Sequence, residues 1–217
     1  MPIASSVDIA DINADGKNDI VAVQALLYAQ TAPASVAILT NDGFGNFSML
    51  SEQSLEINGP AIVKVANLFG SEDPELIIGH STAAKLTILS AGQAPMTVDI
   101  GNSTGVAEWS NAMVVADLNA DGQKDIATMS AREDNLSVIM NQGSGAFRTI
   151  VYKYTELATQ KSALAVNDLT NDGLPELILG AAYLDQQQLA HTTVQAMPNI
   201  GDGMFLEPSI LAMDVGN

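Results

Sequence analysis

Residues 117–126 read DLNADGQKDI, and three further copies of this acidic segment occur along the chain. Residues 11–20 repeat it almost letter for letter as DINADGKNDI, residues 168–177 read DLTNDGLPEL, and residues 67–76 read NLFGSEDPEL. The four copies start at residues 11, 67, 117 and 168, so their starts are 56, 50 and 51 residues apart. A recurrence at this spacing indicates an array of similar structural units.

A glycine-rich turn forms a second signature within the units. It reads NDGFGNF at residues 41–47, NQGSGAF at residues 141–147 and NIGDGMF at residues 199–205, whereas the second unit keeps only Gly92 and its neighbours. Paired glycines beside Asn or Asp allow the positive φ angles of a tight hairpin. The Phe that follows them predicts the start of a new strand.

Short apolar runs rich in Val and Ile surround these turns, and no window of the sequence shows a long helical stripe. For the first unit we predict strands at residues 5–11, 19–24, 35–40 and 47–56. Four strands per unit at a period near fifty are typical of β-propeller blades. The sequence therefore predicts an all-β fold, a single β-propeller domain over residues 1–217 with four blade-like repeats at about 5–58, 59–105, 106–158 and 159–217.

The composition excludes several classes of function. The chain has 25 acidic and 8 basic residues and a formal net charge of −17, so we do not expect nucleic-acid binding. Hydrophobic residues make up 47% of the chain, which is enough for a packed core, but no uninterrupted apolar stretch predicts a membrane span. The chain has no Cys and only two His residues, neither in a catalytic pattern, so we do not expect an enzyme.

The acidic segments alternate oxygen-bearing side chains with other residues, and each has an acid at its ninth position. A tightly curled loop with this spacing can point its oxygens at one hard cation, and the backbone carbonyl of the seventh residue can contribute. Oxygen ligands without His or Cys favour Ca²⁺ over zinc or copper. We therefore predict calcium sites in the first, third and fourth loops. The candidate ligands are Asp11, Asn13, Asp15, Lys17 and Asp19; Asp117, Asn119, Asp121, Gln123 and Asp125; and Asp168, Thr170, Asp172, Leu174 and Glu176.

Two alternatives to these calcium sites follow from the same residues. An Asp-Gly pair also occurs in ordinary hairpin turns, but three copies that share a ninth acid and a following apolar run favour ion binding. An EF-hand is excluded because Ala22, Thr128 and Leu179 occupy the position where it needs a bidentate Glu. In the second loop, Phe69 and Ser71 replace two ligands, so we expect little or no binding there.

The pattern Asp-x-Asn-x-Asp-Gly-x-x-Asp followed by Ile or Leu, with the later Asn-x-Gly-x-Gly-x-Phe, resembles FG-GAP and VCBS-type repeats. Such repeats form the head of integrin α subunits and occur in many bacterial surface and secreted proteins. The resemblance covers essentially the whole chain, and it implies a calcium-bearing propeller used for extracellular adhesion, ligand binding or carbohydrate recognition. Members of the family also occur as accessory modules of polysaccharide-degrading enzymes.

The resemblance leaves the number of blades open. Rings of this family usually have seven or eight blades, so four units form either a compact four-bladed ring or part of a larger ring. An open arc would expose strand edges and favour self-association, so a homo-oligomer is among the expected assemblies.

We expect a calcium-stabilised binding or adhesion module that is extracellular, secreted or at the cell surface, with a leader that this chain does not include. It would recognise a protein or glycan ligand through its loops, and the linkers at residues 25–34 and 182–190 are long enough to carry recognition. The alternative is a carbohydrate-binding lectin or an accessory module of a polysaccharide-degrading enzyme. The aromatic and acidic candidates for sugar binding are Trp109, Glu108, Tyr28 and Tyr183.

Overall fold

The protein is all-β in a computed structural model, which describes residues 2–26, 34–71, 73–102, 105–106, 113–130, 135–153, 160–184 and 190–213. The described residues form strands and turns and contain no helix. The first unit contains β1 (Pro2–Ala10), β2 (Asp19–Leu26), β3 (Ser35–Asn41) and β4 (Phe47–Ser54), and the second contains β5 (Pro60–Ala66), β6 (Glu75–His80), β7 (Lys85–Leu89) and β8 (Met96–Asp99). The third contains β9 (Met113–Ala116), β10 (Asp125–Met129), β11 (Asn135–Asn141) and β12 (Phe147–Lys153), and the fourth contains β13 (Gln160–Asn167), β14 (Glu176–Leu184), β15 (Ala190–Met197) and β16 (Ser209–Met213).

Each unit is one four-stranded antiparallel sheet whose strands lie in chain order. This arrangement confirms the prediction of four blade-like repeats with four strands each. The strands predicted for the first unit lie within a few residues of β1 to β4; β1 begins earlier, at Pro2, and β4 ends earlier, at Ser54. The agreement follows from the turns, because Gly and Asn or Asp clusters mark both ends of most strands.

The core lies between the sheets. Side chains alternate between the two faces of a strand, so each interior sheet contributes to two clusters. In β6, Leu76 and Ile78 pack against the first sheet, whereas Ile77 packs against the third. One cluster fills each of the three spaces between consecutive sheets, and burial of these apolar side chains from water is the main stabilising contribution of the stacking.

The first strands of the sheets, β1, β5, β9 and β13, lie next to one another in that order. Among the described strands, β13 and β1 do not pack against each other as these neighbours do. The side chains of Val7 and Ile9 on β1 are accordingly 57% and 61% exposed. Of the two predicted arrangements, a closed four-bladed ring and part of a larger ring, the described strands therefore show an open series of four sheets. No helix in the described part of the chain is long and apolar enough to cross a membrane.

Candidate metal-binding loops

Each acidic segment forms the loop between the first and second strands of its sheet. Residues 11–18 connect β1 to β2, residues 67–74 connect β5 to β6, residues 117–124 connect β9 to β10, and residues 168–175 connect β13 to β14. Because all four sheets have the same strand order and stack on neighbouring first strands, these loops lie along one rim of the series.

The third loop is curled around the carboxylate of its first residue. Asp117 Oδ1 accepts a hydrogen bond from the backbone N–H of Asp121 at 3.1 Å, and its Oδ2 accepts one from Gly122 at 2.8 Å. Asp121 in turn accepts the backbone N–H of Gln123 at 2.8 Å, and the Asn119 side-chain amide reaches the other oxygen of Asp121 at 2.9 Å. The loop thus satisfies its own backbone donors with the side chains predicted as ligands.

The first and fourth loops repeat this network. In the first loop, Asp11 accepts the N–H groups of Asp15 at 3.1 Å and Gly16 at 2.7 Å. In the fourth loop, Asp168 accepts the N–H groups of Asp172 at 3.3 Å and Gly173 at 2.9 Å. Thr170, which replaces Asn at the third position, forms no such bond to Asp172 among the described contacts.

The backbone of the three loops is left-handed at the same two positions. In the third loop, φ is 61° at Ala120 and 86° at Gly122, and the other two loops have the same pattern at their fourth and sixth residues. The sixth residue is Gly, for which this conformation is unstrained, but the fourth is Ala or Asn. A left-handed Ala costs about 1–2 kcal/mol, so the bonds to the first and third side chains must hold it in place.

The ninth acid has a structural role that the sequence analysis did not predict. Asp125 is fully buried, and its two carboxylate oxygens accept the backbone N–H groups of Leu118 at 2.9 Å and Asn141 at 2.7 Å. Asp19 accepts the equivalent bonds from Ile12 at 3.2 Å and Asn41 at 2.9 Å. This acid therefore closes the loop and ties it to the end of the third strand. A sequence signal existed, because the second loop keeps an acid here while losing other ligands.

The pKa values of Asp125 and Asp121 in the third loop are shifted in opposite directions, and the first side chain is buried whereas the second is exposed. Burial raises the pKa of Asp125 to about 6, and the negative charges of Asp121 and Asp117 act in the same direction against the bonds from Asn141 and Leu118. By contrast, the hydrogen bond from the Asn119 side chain lowers the pKa of Asp121. The loop thus places a buried acid that resists ionisation beside an exposed acid that ionises readily.

The chemistry of the donors fits a hard cation, although the side chains are not gathered around a single point. Among the described residues, no three His, Cys, Asp or Glu side chains are placed together to hold a metal ion. The carboxylates are directed at backbone N–H groups instead. Because an ionised carboxylate offers about four lone-pair sites, each keeps acceptor capacity beyond these bonds. An oxygen-only set of this kind suits Ca²⁺.

The second loop is built differently. Its first residue is Asn67, whose side-chain oxygen accepts the N–H of Gly70 at 2.6 Å. Phe69, at the third position, packs on Phe147 of the third unit with ring centroids 6.3 Å apart. Ser71, at the fifth position, donates to the backbone oxygen of Asp73 at 2.6 Å. This loop therefore replaces the acidic side chains with apolar packing and neutral hydrogen bonds.

Other residues predicted for recognition fall largely outside the described part of the chain. This applies to Trp109, Glu108 and Tyr28, and to residues 27–33 and 185–189 of the two long linkers. The backbone of Tyr183 lies in β14, which extends further into the second linker than predicted. The structure also contains a cleft of about 670 Å³ beside the second loop, which the sequence analysis did not identify; its lining includes Phe69, Ser71, Gln93, Met96 and Gly145.

A comparison with protein-family models matches residues 117–179 to the FG-GAP-like repeat. These residues are therefore similar to an FG-GAP-like repeat. The matched FG-GAP segment begins at the third loop, includes β10, β11, β12 and β13, and ends in β14 after the fourth loop. The FG-GAP resemblance drawn from the sequence is therefore confirmed for residues 117–179. A search of curated proteins found no significant match.

Proposed function

We propose that this chain is a calcium-stabilised binding module that works outside the cytoplasm. The observation that supports the proposal is the threefold occurrence of one loop geometry. The first, third and fourth loops share the carboxylate at the first position, the curled backbone and the carboxylate at the fifth position. An ordinary hairpin turn requires none of the acidic side chains, so their recurrence favours a cation as the reason for them.

Electrostatics supports the same proposal. The third loop contains three carboxyl groups, those of Asp117, Asp121 and Asp125, within nine residues. Burial raises the pKa of Asp125, and the negative charges of the other two add to this rise. A divalent ion would reverse this unfavourable interaction, because it attracts every carboxylate that now repels its neighbour. In the first loop, Lys17 provides part of this compensation through an ion pair with Asp15 at 3.1 Å. The side chain at this position in the third loop is the neutral Gln123.

The proposed location follows from the strength of such sites. Calcium loops of extracellular modules have dissociation constants of about 10⁻⁴ to 10⁻³ M. At millimolar calcium, a site at the tight end of this range adds about 1.5 kcal/mol of stability, so three sites add about 4 kcal/mol. This is a large part of the roughly 5–15 kcal/mol that stabilises a typical domain. Cytosolic calcium would leave the sites largely empty, which favours a secreted or cell-surface protein.

The proposed role is ligand recognition rather than catalysis. The acidic residues that recur in the sequence lie in the loops, where they accept hydrogen bonds from the backbone. Bound ions would hold the rim of loops rigid, so that adjacent loops can present a binding surface. We propose a protein or a glycan on a cell surface as the ligand. A glycan array and a panel of surface proteins, each probed with and without calcium, would distinguish the two classes.

The direct test is to count the ions by equilibrium dialysis. We expect three calcium ions per chain at millimolar calcium. A variant with Asp15→Ala, Asp121→Ala and Asp172→Ala, which removes the fifth-position acid of each loop, should bind none. The matched control is Ser71→Ala at the same position of the second loop, which should still bind three. A wild-type protein that binds no calcium under these conditions refutes the proposal.

A further inference from the structure

The two ends of the series of sheets expose opposite halves of the same interface. We call the outer face of the first sheet the front face and the outer face of the fourth sheet the back face. Every sheet has a face of each kind. Inside the series, the back face of each sheet packs on the front face of the next sheet. The strand registers place Val7, Ile9, Ile20, Leu39 and Met49 on the front face, and Ala163, Ala165, Ile178, Val194 and Ala196 on the back face.

The front face is apolar, but no described part of the chain covers it as its counterparts are covered. Val7 is 57% exposed, whereas the equivalent residues Val63, Met113 and Leu164 of the other three sheets are buried between sheets. Exposed apolar side chains grouped on one sheet face indicate an interaction site. The three interior interfaces show which kind of surface covers such a face: the back face of another unit of this repeat.

A side-chain hydrogen bond across each of two interior interfaces also indicates that another unit of this repeat fits the front face. Asn141 Nδ2 of the third unit donates to Leu68 O of the second at 2.7 Å, and Asn199 Nδ2 of the fourth donates to Leu118 O of the third at 2.8 Å. The equivalent residue of the first unit is Asn41. Its amide donates at 3.1 Å within its own unit, to the carbonyl of the residue before Asp19. The side-chain amide of Asn199 makes two bonds, one within its own unit and one to the preceding unit. Asn41 makes the bond within its own unit, so its second N–H can donate to a preceding unit.

The acceptor that would complete this bond lies at the other end of the series. Leu169 is the fourth-loop counterpart of Leu68 and Leu118. Those two side chains are buried under the following unit, whereas Leu169 is 48% exposed. The backbone N–H of Leu169 donates to Glu176 at 2.7 Å, and the equivalent N–H groups of Leu68 and Leu118 donate to the ninth acids of their loops. Because the three loops are closed in the same way, we expect the carbonyl of Leu169 to point as those of Leu68 and Leu118 do.

The glycine-rich turn of the first unit also has room for a preceding sheet. A Cβ atom at Gly145 would lie 3.1 Å from Met96 of the second unit, and one at Gly203 would collide with Met140 of the third. At Gly45, the counterpart in the first unit, a Cβ atom would meet no atom of the described residues within 4 Å. The described residues around this turn of the first unit therefore leave room for the close approach of another unit.

We propose that a second copy of this chain occupies these ends: the back face of one copy packs on the front face of the other, and Asn41 Nδ2 donates to Leu169 O across the contact. Such a head-to-tail contact forms a closed ring when the rotation between copies closes. Two copies supply eight sheets, which lies within the usual range of four to eight blades for propellers, whereas three copies exceed it. The assembly is therefore a two-copy ring. It does not depend on the proposed ligand.

Sedimentation velocity in millimolar calcium, at tens of micromolar protein, tests the proposal. We expect the wild type to be a dimer, and both Ile9→Asp on the front face and Leu169→Asp at the back edge to be monomers. An equal mixture of the two variants should form a dimer again, because one intact front face and one intact back face remain. Both substitutions replace side chains that are about half exposed or more, and circular dichroism would verify that each variant is folded.

Two further variants complete the test. Asn41→Asp keeps the oxygen that accepts the N–H of Gly43 at 2.9 Å but removes the donor, so it should weaken the dimer about tenfold or more. Ile200→Gln is the control, because Ile200 is exposed in the turn of the fourth unit and its counterpart in the third is Gln142. This control should remain dimeric. A monomeric wild type, an open polymer, or a dimer that Leu169→Asp leaves intact would each overturn the two-copy ring.

Discussion

The second and third loops occupy equivalent places in adjacent sheets, but they are stabilised by different interactions. Both use a buried ninth acid, Glu75 or Asp125, to accept the N–H of the second loop residue. The third loop then surrounds its backbone with carboxylates, whereas the second places Phe69 against the third unit. The difference teaches that closure of the loop does not require acidic side chains at the first, third and fifth positions. The ninth acid closes both loops, and the ion binding proposed for the third loop would depend on its first, third and fifth side chains.

Calcium removal should produce the largest effect and should separate the two loops. We expect chelation to remove about 4 kcal/mol of stability from the three proposed sites. For a chain of this length, this corresponds to a fall in Tm of roughly 10 °C, measurable by calorimetry. Hydrogen exchange should show that residues 117–125 lose protection while residues 67–75 keep it. An unchanged Tm, or equal loss of protection in both loops, would contradict the proposed division between them.

Removal of the ninth acid should destabilise both units, whether or not calcium is present. Asp125→Ala leaves the N–H groups of Leu118 and Asn141 without their acceptor, so we expect a loss of about 3 kcal/mol. Glu75→Ala leaves the N–H of Leu68 without its acceptor, and we expect about 2 kcal/mol. Denaturant unfolding in excess chelator measures both. Asp73→Ala, at an exposed residue, is the control and should change stability little. If Glu75→Ala changes the free energy of unfolding as little as this control does, the ninth acid does not stabilise the second loop as we infer.

Removal of one fifth-position acid should affect a single site. Asp121→Ala should lower the number of bound ions from three to two and lose about 1.5 kcal/mol, but only in calcium. In chelator, the variant and the wild type should differ much less. The matched change in the second loop, Ser71→Ala, should leave the ion count unchanged. Isothermal titration calorimetry gives the ion count, and unfolding curves give the energies. Loss of all three ions from Asp121→Ala would show that the sites are not separate.

The smallest effect is expected from transferring the third loop's side chains to the second. The combined change Asn67→Asp, Phe69→Asn and Ser71→Asp should create a fourth, weak calcium site, with a gain of less than about 1 kcal/mol at millimolar calcium. The loss of the packing between Phe69 and Phe147 offsets part of this gain. Dialysis should detect four ions. A count that stays at three would show that the first, third and fifth side chains are not sufficient.

Much of the fold could be predicted from the sequence, because its signals are local. The period of the acidic segment, the glycine turns and the short apolar runs were enough to locate the four sheets and most of their strands. The second role of Asp125 could not be predicted, because its partner Asn141 lies 16 residues away and is brought close only by the sheet register. The open ends also depend on how the sheets stack, which no local pattern encodes. Calcium binding, the ligand and the location stay predictions.

Leu118 joins two interactions that belong to different units. Its N–H is bonded to Asp125 of its own sheet, and its carbonyl accepts the amide of Asn199 from the next. At the second-to-third and third-to-fourth interfaces, each sheet is thus fastened to the next at the point where its own loop is closed, and thermal unfolding should propagate stepwise along the row. The first and fourth sheets each pack on one neighbour instead of two. We therefore expect an isolated copy to lose structure first at its two outermost sheets, and the interior pair to melt last.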